Sequence, residues 1–261
     1  MTMGIALVTG GTSGIGAEFA RQLAARGHDL VLVARDRSRL DAMAGELAVD
    51  GRQVEVISAD LSKASDTERV AKRLRDAGRP VDILVNNAGY GLRTKVAAPD
   101  VAEHDAAYAV MVRAVWVLSA AAVPGMRERG HGAIINIGSI AGQLSMGGYS
   151  SMKAWVQTYT ESLANELRGS GVTATVLMPG WVRTEFHRRA DIRSSSIPDA
   201  LWLDADYLVR SCLRDVDRGR VVSMPSLRYR PLSWFLRHLP RSAVRSISRR
   251  ISLSRSRAAS E

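Results

Sequence analysis

The stretch Gly132-Ala-Ile-Ile-Asn-Ile-Gly-Ser-Ile-Ala-Gly142, joined by a short bridge to Tyr149-Ser-Ser-Met-Lys153, decides how the whole chain is read. Ala133, Ile134, Ile135 and Ile137 form an apolar, mostly β-branched run between glycines, the pattern of a strand buried on both faces. The run stops at Gly138-Ser139. Beyond the bridge, Ala154, Trp155, Tyr159, Leu163 and Leu167 recur at helical spacing. They predict a helix from about 149 to 168, with Tyr149 and Lys153 sharing one face of its first turns.

That pairing has a chemical use. A lysine ammonium beside a phenol favours the phenolate and lowers the tyrosine pKa from its usual value of about 10. Tyr149 can then exchange a proton with a carbonyl or alcohol oxygen, and Ser139 can donate a hydrogen bond to the same oxygen as charge builds on it. The competing reading is chance, because any helix can carry Tyr and Lys four residues apart.

Working outward, Ile5 to Val8 read as a short strand running into Thr9-Gly-Gly-Thr-Ser-Gly14-Ile-Gly16, followed by a helix with Phe19, Ala20 and Leu23 inside and its end near Gly27. A strand, a glycine turn and a helix in that order bring backbone N–H groups and a helix N-terminus up to a phosphate. The spacing, Gly10-x3-Gly14-x-Gly16, differs from the usual dinucleotide fingerprint. Strand Leu30 to Val33 ends at Ala34-Arg35, with no acid to hold a ribose hydroxyl. Arg35 therefore either pairs with a 2′-phosphate, favouring NADP(H) over NAD(H), or is a solvated residue beside Arg37 and Arg39. Strand Val54 to Ile57 leads to Asp60, either an acceptor for an adenine amino group or a turn and cap residue before a helix starting near Ser65 or Asp66. Strand Val81 to Val85 opens into Asn86-Asn-Ala-Gly89, either a cofactor floor or a turn.

Helical patterns over about 100 to 129 and 149 to 168 alternate with strands at 133 to 138 and 172 to 178. This β-α repetition predicts a parallel sheet with helices on both faces and ligands at the carboxyl ends of its strands, where Thr9, Asn86, Ser139 and Pro179 all fall. With 261 residues, 46% of them hydrophobic, one domain is expected. The glycine-interrupted N-terminus reads as neither a signal peptide nor a membrane span, and no other uninterrupted apolar run is long enough to cross a bilayer. The lone Cys212, in an apolar helical pattern with Leu208, Val209 and Leu213, fits a core position and a reducing cytoplasm. No metal-ligand set is assigned.

Together the residues resemble the short-chain dehydrogenase/reductase family. The resemblance rests on Thr9-Gly-Gly-Thr-Ser-Gly-Ile-Gly16, Asp60, Asn86-Asn-Ala-Gly89, Ser139, Tyr149-x3-Lys153 and Pro179-Gly-Trp-Val-Arg-Thr184, in order and at family spacing, over about residues 4 to 184. It implies an α/β fold, a Rossmann-type doubly wound parallel sheet flanked by helices, here carrying a basic C-terminal helical tail. It implies that Tyr149 is the proton donor in carbonyl reduction, that Ser139 polarises the carbonyl, and that Lys153 lowers the tyrosine pKa and holds the nicotinamide ribose. Gly10, Thr12, Ser13, Gly14, Ile15 and Gly16 would line the pyrophosphate and adenosine, Asp60 the adenine, and Asn87, Ala88 and Gly89 the middle of the cofactor. Pro179, Val182 and Thr184 would lie beside the nicotinamide, and Arg35 implies NADPH. The resemblance also leaves room for a homo-oligomer. At one point the chain departs from the family: Met111, thirteen residues before Pro124, stands where many members carry an Asn that helps a water-linked proton path reach the lysine. Methionine cannot donate to that water, so turnover is expected to be lower, or lost in a protein kept for regulation or scaffolding.

Residues 1 to 225 are read as the dinucleotide-binding domain, with a substrate lid over about 184 to 205 that precedes a helix carrying Trp202, Leu203, Tyr207 and Leu208. Phe186, Ile192 and Trp202 are candidates for either substrate or core contacts, and His187 is read as exposed. The extension from 226 to 261 holds nine arginines against one acid, +8 of the chain's +10. Val244, Ile247 and Ile251 at helical spacing, with Trp234 and Phe235 nearby, describe a basic amphipathic helix. Such a helix either lies on an anionic membrane surface at the inner face or covers the body or a partner subunit. Without a recognition motif beside the charge, nucleic acid is not expected as the primary partner. The substrate expected is a small carbonyl or alcohol, with a lipid such as an oxoacyl chain suited to a membrane-proximal enzyme.

Overall fold

Alternate side chains of each central strand enter opposite layers of the core. Ala6 and Val8, Leu30 and Leu32, Ile83 and Val85, and Ala133, Ile135 and Ile137 pack on one side of the sheet. Their neighbours Leu7, Val31, Val33, Leu84 and Ile134 pack on the other. Strand side chains alternate with a period of two, so a continuous apolar run forces burial on both faces and demands helices on each. The computed structural model shows this arrangement, describing residues 4–49, 51–92, 94–183, 202–226 and 229–258.

In chain order the elements begin β1 (Ile5–Thr9), α1 (Gly14–Ala25), β2 (Asp29–Ala34), α2 (Arg37–Leu47), β3 (Val54–Ser58), α3 (Ala64–Leu74) and β4 (Val81–Asn86). They continue with α4 (Ala102–Tyr108), α5 (Ala114–Arg129), β5 (Gly132–Ile137), α6 (Gly148–Glu166) and β6 (Val172–Leu177). Beyond these lie β7 (Trp181–Val182), β8 (Trp202–Leu203), α7 (Ala205–Asp217), β9 (Val222–Ser223), α8 (Tyr229–His238) and α9 (Arg241–Ala258). The seven-stranded sheet has the order β3-β2-β1-β4-β5-β6-β9, with every pairing parallel. Strand order reverses between β1 and β4, which opens a crevice above their carboxyl ends. Phe19, Ala20 and Leu23 of α1 are fully buried on one face of the sheet, and Leu208, Val209, Cys212 and Leu213 of α7 join them there. Burial pushes the Cys212 thiol up to about 12, as expected of a core thiol.

Several local expectations need correction. The helix read over 100 to 129 is interrupted by a π-helical turn at Ala109–Arg113, which carries Met111. By length and composition the whole segment Ala102–Arg129 could cross a membrane, although no single uninterrupted apolar run suggests it. More than half of its apolar window is buried in the protein, as in a core helix. Trp202 and Leu203 lie in β8, paired parallel with Trp181 and Val182, and α7 begins only at Ala205, because the indoles of Trp181 and Trp202 pack against each other at 6.1 Å. Of the lid expected over 184 to 205, Thr184, Phe186, His187 and Ile192 lie outside the described residues. The C-terminal extension forms two helices rather than one, α8 and α9, separated at Pro240, and both pack on the body through Tyr229, Ser233, Leu236, Val244 and Ser248.

Candidate functional site

The turn between β1 and α1 is shaped by main chain pressed against main chain. Gly10 takes a φ of +66°, which only glycine adopts without strain. A Cβ on Gly16 would fall 2.2 Å from the Gly10 carbonyl oxygen and 2.3 Å from Asn87 Nδ2. No side chain fits there. Thr9 joins the turn to β4: its hydroxyl donates to the Val85 carbonyl at 3.2 Å and accepts from the N–H groups of Asn87 and Ala88 at 2.9 and 3.1 Å. Asn87 Nδ2 donates back to the Thr9 carbonyl at 2.9 Å. Ser13 stands at the N-cap of α1 in an extended conformation, with no cap hydrogen bond from its side chain, and Thr12 and Ile15 lie partly open beside it. These features fit a dinucleotide: a glycine-rich cradle with bare main chain at Gly10 and Gly16, at a helix N-terminus, above the point where strand order reverses.

At the next strand ends, Arg35 is exposed after β2, and Asp60 follows β3. Burial lifts the Asp60 carboxyl, but hydrogen bonds from the Ser62 hydroxyl and N–H, with the nearby Arg35 and Lys63 charges, together hold it below the usual carboxylate range. Asp60 therefore serves as a turn residue, near Arg35 beyond the ends of β2 and β3. The helix after it starts at Ala64, with Asp66 accepting from the Asp60 N–H.

Ser139, Tyr149 and Lys153 converge on the opposite wall. Ser139 follows β5 and caps a short 3-10 turn over Ile140–Gln143, its hydroxyl accepting from the Ala141 N–H at 3.1 Å. Tyr149, in the first turn of α6, hydrogen-bonds Ser139, and Lys153 Nζ lies 5.8 Å from the centre of the phenol ring. Lys153 is buried and donates to the Ile137 carbonyl at 2.6 Å, tying α6 to the end of β5. Burial lowers its pKa to about 8.

The expected effect on Tyr149 runs the other way. Burial raises its phenol to about 12 against the smaller, lowering effect of the Ser139 hydrogen bond. Desolvation of a phenolate outweighs a lysine whose ammonium is turned onto a carbonyl and is itself harder to protonate. At neutral pH the hydroxyl keeps its proton.

Other expected residues divide by position. Pro179 accepts from the Ile140 N–H at 3.1 Å, which draws the loops after β5 and β6 together. Gly89 faces Met111: a Cβ there would meet the Met111 sulfur at 3.2 Å and Lys153 Nζ at 3.7 Å. The Val182 side chain is packed in the core, leaving only its main chain to meet a ligand. Thr184 lies outside the described residues.

The structure adds two groups of residues to the sequence reading. Asn86 Nδ2 donates to Asn136 Oδ1 at 2.9 Å and to Ser119 at 3.2 Å, and Asn136 donates to Thr160 at 2.9 Å, a buried ladder that fixes β4, β5 and α6 behind the wall of Ser139, Tyr149 and Lys153. Asn86 stands among the strand-end residues read from sequence; Asn136, Ser119 and Thr160 do not, and the asparagine inside the run Ile135-Asn136-Ile137 is the signal for them, because a buried amide needs partners. The second group lines a cleft of about 280 Å³ over Tyr149, with Leu92, Val96 and Met146 as apolar walls and Thr94 and Lys95 as polar ones. Nothing in their spacing marks them.

Comparison with known proteins agrees with this geometry. The model of the short chain dehydrogenase family matches residues 4–193. A short-chain dehydrogenase from Sphingobium yanoikuyae, solved in complex with NADPH, is 35% identical, with a TM-score of 0.82 over 91% of this chain and 96% of that one. The bulky-bulky ketone specific alcohol dehydrogenase from Comamonas testosteroni is 31% identical, with a TM-score of 0.78 over 92% and 96%. Sulfoacetaldehyde reductase 2 of Chromohalobacter salexigens is 36% identical over 209 residues, 78% of this chain and 82% of that protein. A reversed-order parallel sheet, a glycine-rich turn and a Ser-Tyr-Lys wall thus accompany a family match over most of the chain, which belongs to the short-chain dehydrogenase family and is an NAD(P)-dependent oxidoreductase acting on CH–OH and C=O groups.

Proposed function

We propose that the protein is an NADPH-dependent reductase of a lipophilic carbonyl, a ketone, aldehyde or oxoacyl group, with Tyr149 as general acid. The observation that carries this reading is the convergence of Ser139, Tyr149 and Lys153 beside the crevice above β1 and β4. Bound NADPH supplies the hydride that the carbonyl carbon accepts. Tyr149, protonated up to about pH 12, delivers its hydroxyl proton to the carbonyl oxygen, so the alcohol forms without a free alkoxide. Ser139 orients that oxygen and shares its developing charge. Lys153 supports the phenolate left behind and holds the nicotinamide ribose.

In this reading cofactor selectivity rests on Arg35, which is exposed after β2 and would pair with a 2′-phosphate, while Asp60 would meet the adenine and Gly10 to Gly16, Asn87, Ala88 and Gly89 the middle of the cofactor. Leu92, Val96 and Met146 give a substrate over Tyr149 apolar contact, and Thr94 and Lys95 give it polar contact. Residues 1–225 form the enzyme domain in this reading, and 226–261 are an extension. A cytoplasmic setting suits the free, buried Cys212, and exposed Trp116, packed against Trp155 and Tyr159, offers a surface for a second copy.

One observation favours a competing reading, a dinucleotide-binding regulator with little turnover: Met111 occupies the space beside Gly89 and Lys153, where it cannot hold a relay water. Tyr149→Phe separates the two. For a reductase, NADPH oxidation with a panel of ketones and oxoacyl thioesters falls by about 100-fold or more while NADPH affinity is kept. Absence of turnover in the parent protein across that panel, with tight NADPH binding, overturns the reductase reading.

A further inference from the structure

The C-terminal helices present one face to the body and a different chemistry to solvent. In α8, Tyr229, Ser233 and Leu236 point inward at i, i+4 and i+7. Trp234 and Phe235 fall on the far side, 62% and 53% exposed, with Leu232 at 43%. Trp234 is not a loose side chain, since the His238 ring stacks on it at 4.3 Å and His238 Nδ1 meets the Trp234 carbonyl at 2.7 Å. In α9, Val244 and Ser248 are buried, while Arg241, Arg245 and Arg249 repeat every four residues along the exposed side, with Arg250 beside them. Arg237 reaches Glu161 of the body at 3.8 Å, and Arg230 donates to the Met224 carbonyl. Between Asp217 and Glu261 the sequence has no acid.

The helices also hold the loop between Ser139 and Tyr149. Gln143 Nε2 donates to the Ser233 hydroxyl at 2.8 Å, and the Ser145 N–H donates to the Ser248 hydroxyl at 2.9 Å. The next residues, Met146 and Gly147, line the cleft over Tyr149. The surface bearing the aromatics is therefore coupled to the substrate side of the site.

We propose that the α8–α9 extension is a docking surface for an anionic lipid bilayer and brings the cleft mouth toward the membrane. Exposed tryptophan and phenylalanine on the outer face enter the boundary between headgroups and acyl chains, and the acid-free arginine rows meet the negative surface. A partner protein or a second copy would have to match a surface of one charge sign with apolar tips, whereas an anionic bilayer supplies both complements at once. This inference does not depend on the reductase reading.

The test is co-sedimentation of the full-length protein with vesicles of mixed phosphatidylglycerol and phosphatidylcholine, against vesicles of phosphatidylcholine alone. Binding to the anionic vesicles is expected to exceed that to neutral ones by at least about tenfold, and to fall sharply in about 1 M salt, where screening acts within about 3 Å. The double variant Trp234→Ala, Phe235→Ala, altering exposed residues only, is expected to lose about tenfold in vesicle affinity while NADPH affinity and melting temperature stay at parental values. The triple variant Arg241→Glu, Arg245→Glu, Arg249→Glu is expected to abolish binding. Equal binding to neutral vesicles, unchanged binding after loss of both aromatics, displacement by RNA with no vesicle preference, or dissociation of a dimer by the aromatic variant would each overturn the proposal.

Discussion

The glycine turn after β1 and the C-terminal helices both meet loops that leave the carboxyl edge of the sheet, but they are held there by opposite means. The turn is fixed by backbone contact so close that a single Cβ on Gly16 would lie 2.2 Å from a carbonyl oxygen. The helices α8 and α9 are fixed through side chains: the hydroxyls of Ser233, Ser248 and Tyr229, the Tyr229 ring set against the bare main chain of Gly180, and a few apolar side chains. A surface shaped by main chain has one solution, and it is supported by a core buried on both faces of the sheet. A surface attached through side-chain hydroxyls, each contributing about 1 kcal/mol net, can change its outward face without disturbing the site. The glycine turn is the rigid region in physical terms, and the C-terminal helices are the adjustable one.

The largest expected effect breaks the rigid region. Gly16→Ala forces the Gly10 carbonyl and Asn87 apart, lowering stability by about 1–3 kcal/mol and weakening NADPH binding by about 100-fold; fluorescence titration and thermal melts read both. If the variant binds NADPH as the parent does, the turn is more pliable than its contacts indicate.

The wall of Ser139, Tyr149 and Lys153 gives the next effect through pH. The Lys153 ammonium is present below about 8 and lost above it, so reductive kcat/KM is expected to fall about tenfold per unit of pH above that value. Lys153→Met should remove this limb from the profile and lower the rate at neutral pH. The stability consequence has a definite sign. A lysine whose folded pKa is depressed contributes fully above its ordinary value of 10.5, and the contribution is lost as the pH falls through about 8. Lys153→Met should therefore melt higher than the parent below pH 8, even as activity drops.

A smaller effect sharpens the same wall. Met111→Asn restores a group able to hold water beside Lys153, and kcat is expected to rise by about two- to tenfold with NADPH affinity unchanged, measured by steady-state NADPH oxidation. The smallest effect belongs to the adjustable region: Ser233→Ala leaves Gln143 without its partner and should cost about 1–2 kcal/mol of stability while kcat stays within about twofold. A Ser233→Ala variant that lost turnover but not stability would mean that the extension positions the active loop directly.

Much of the fold was legible because it follows from local patterns. The strands around Leu7, Val31, Leu84 and Ile134 are continuous apolar runs, and their order with intervening helices leaves few arrangements besides a parallel sheet. Ser139, Tyr149 and Lys153 were legible from spacing along one strand end and one helix face. The roles of Leu92, Val96 and Met146 were not, since they come from two loops distant in sequence and have ordinary residue types. Trp202 was misread because a two-residue strand leaves no period to detect, and its partner Trp181 is supplied by a separate loop.

By itself the sequence determined the parallel α/β fold, the glycine-rich turn and the identity of the three chemical groups, because periodicity and residue type act locally. Only the tertiary structure decided their protonation and surroundings. It turned Lys153 onto the Ile137 carbonyl and raised the Tyr149 phenol instead of lowering it. It also hung two arginine-rich helices on the loop between Ser139 and Tyr149. Burial and electrostatics depend on everything packed within a few ångströms, whatever its place in the chain.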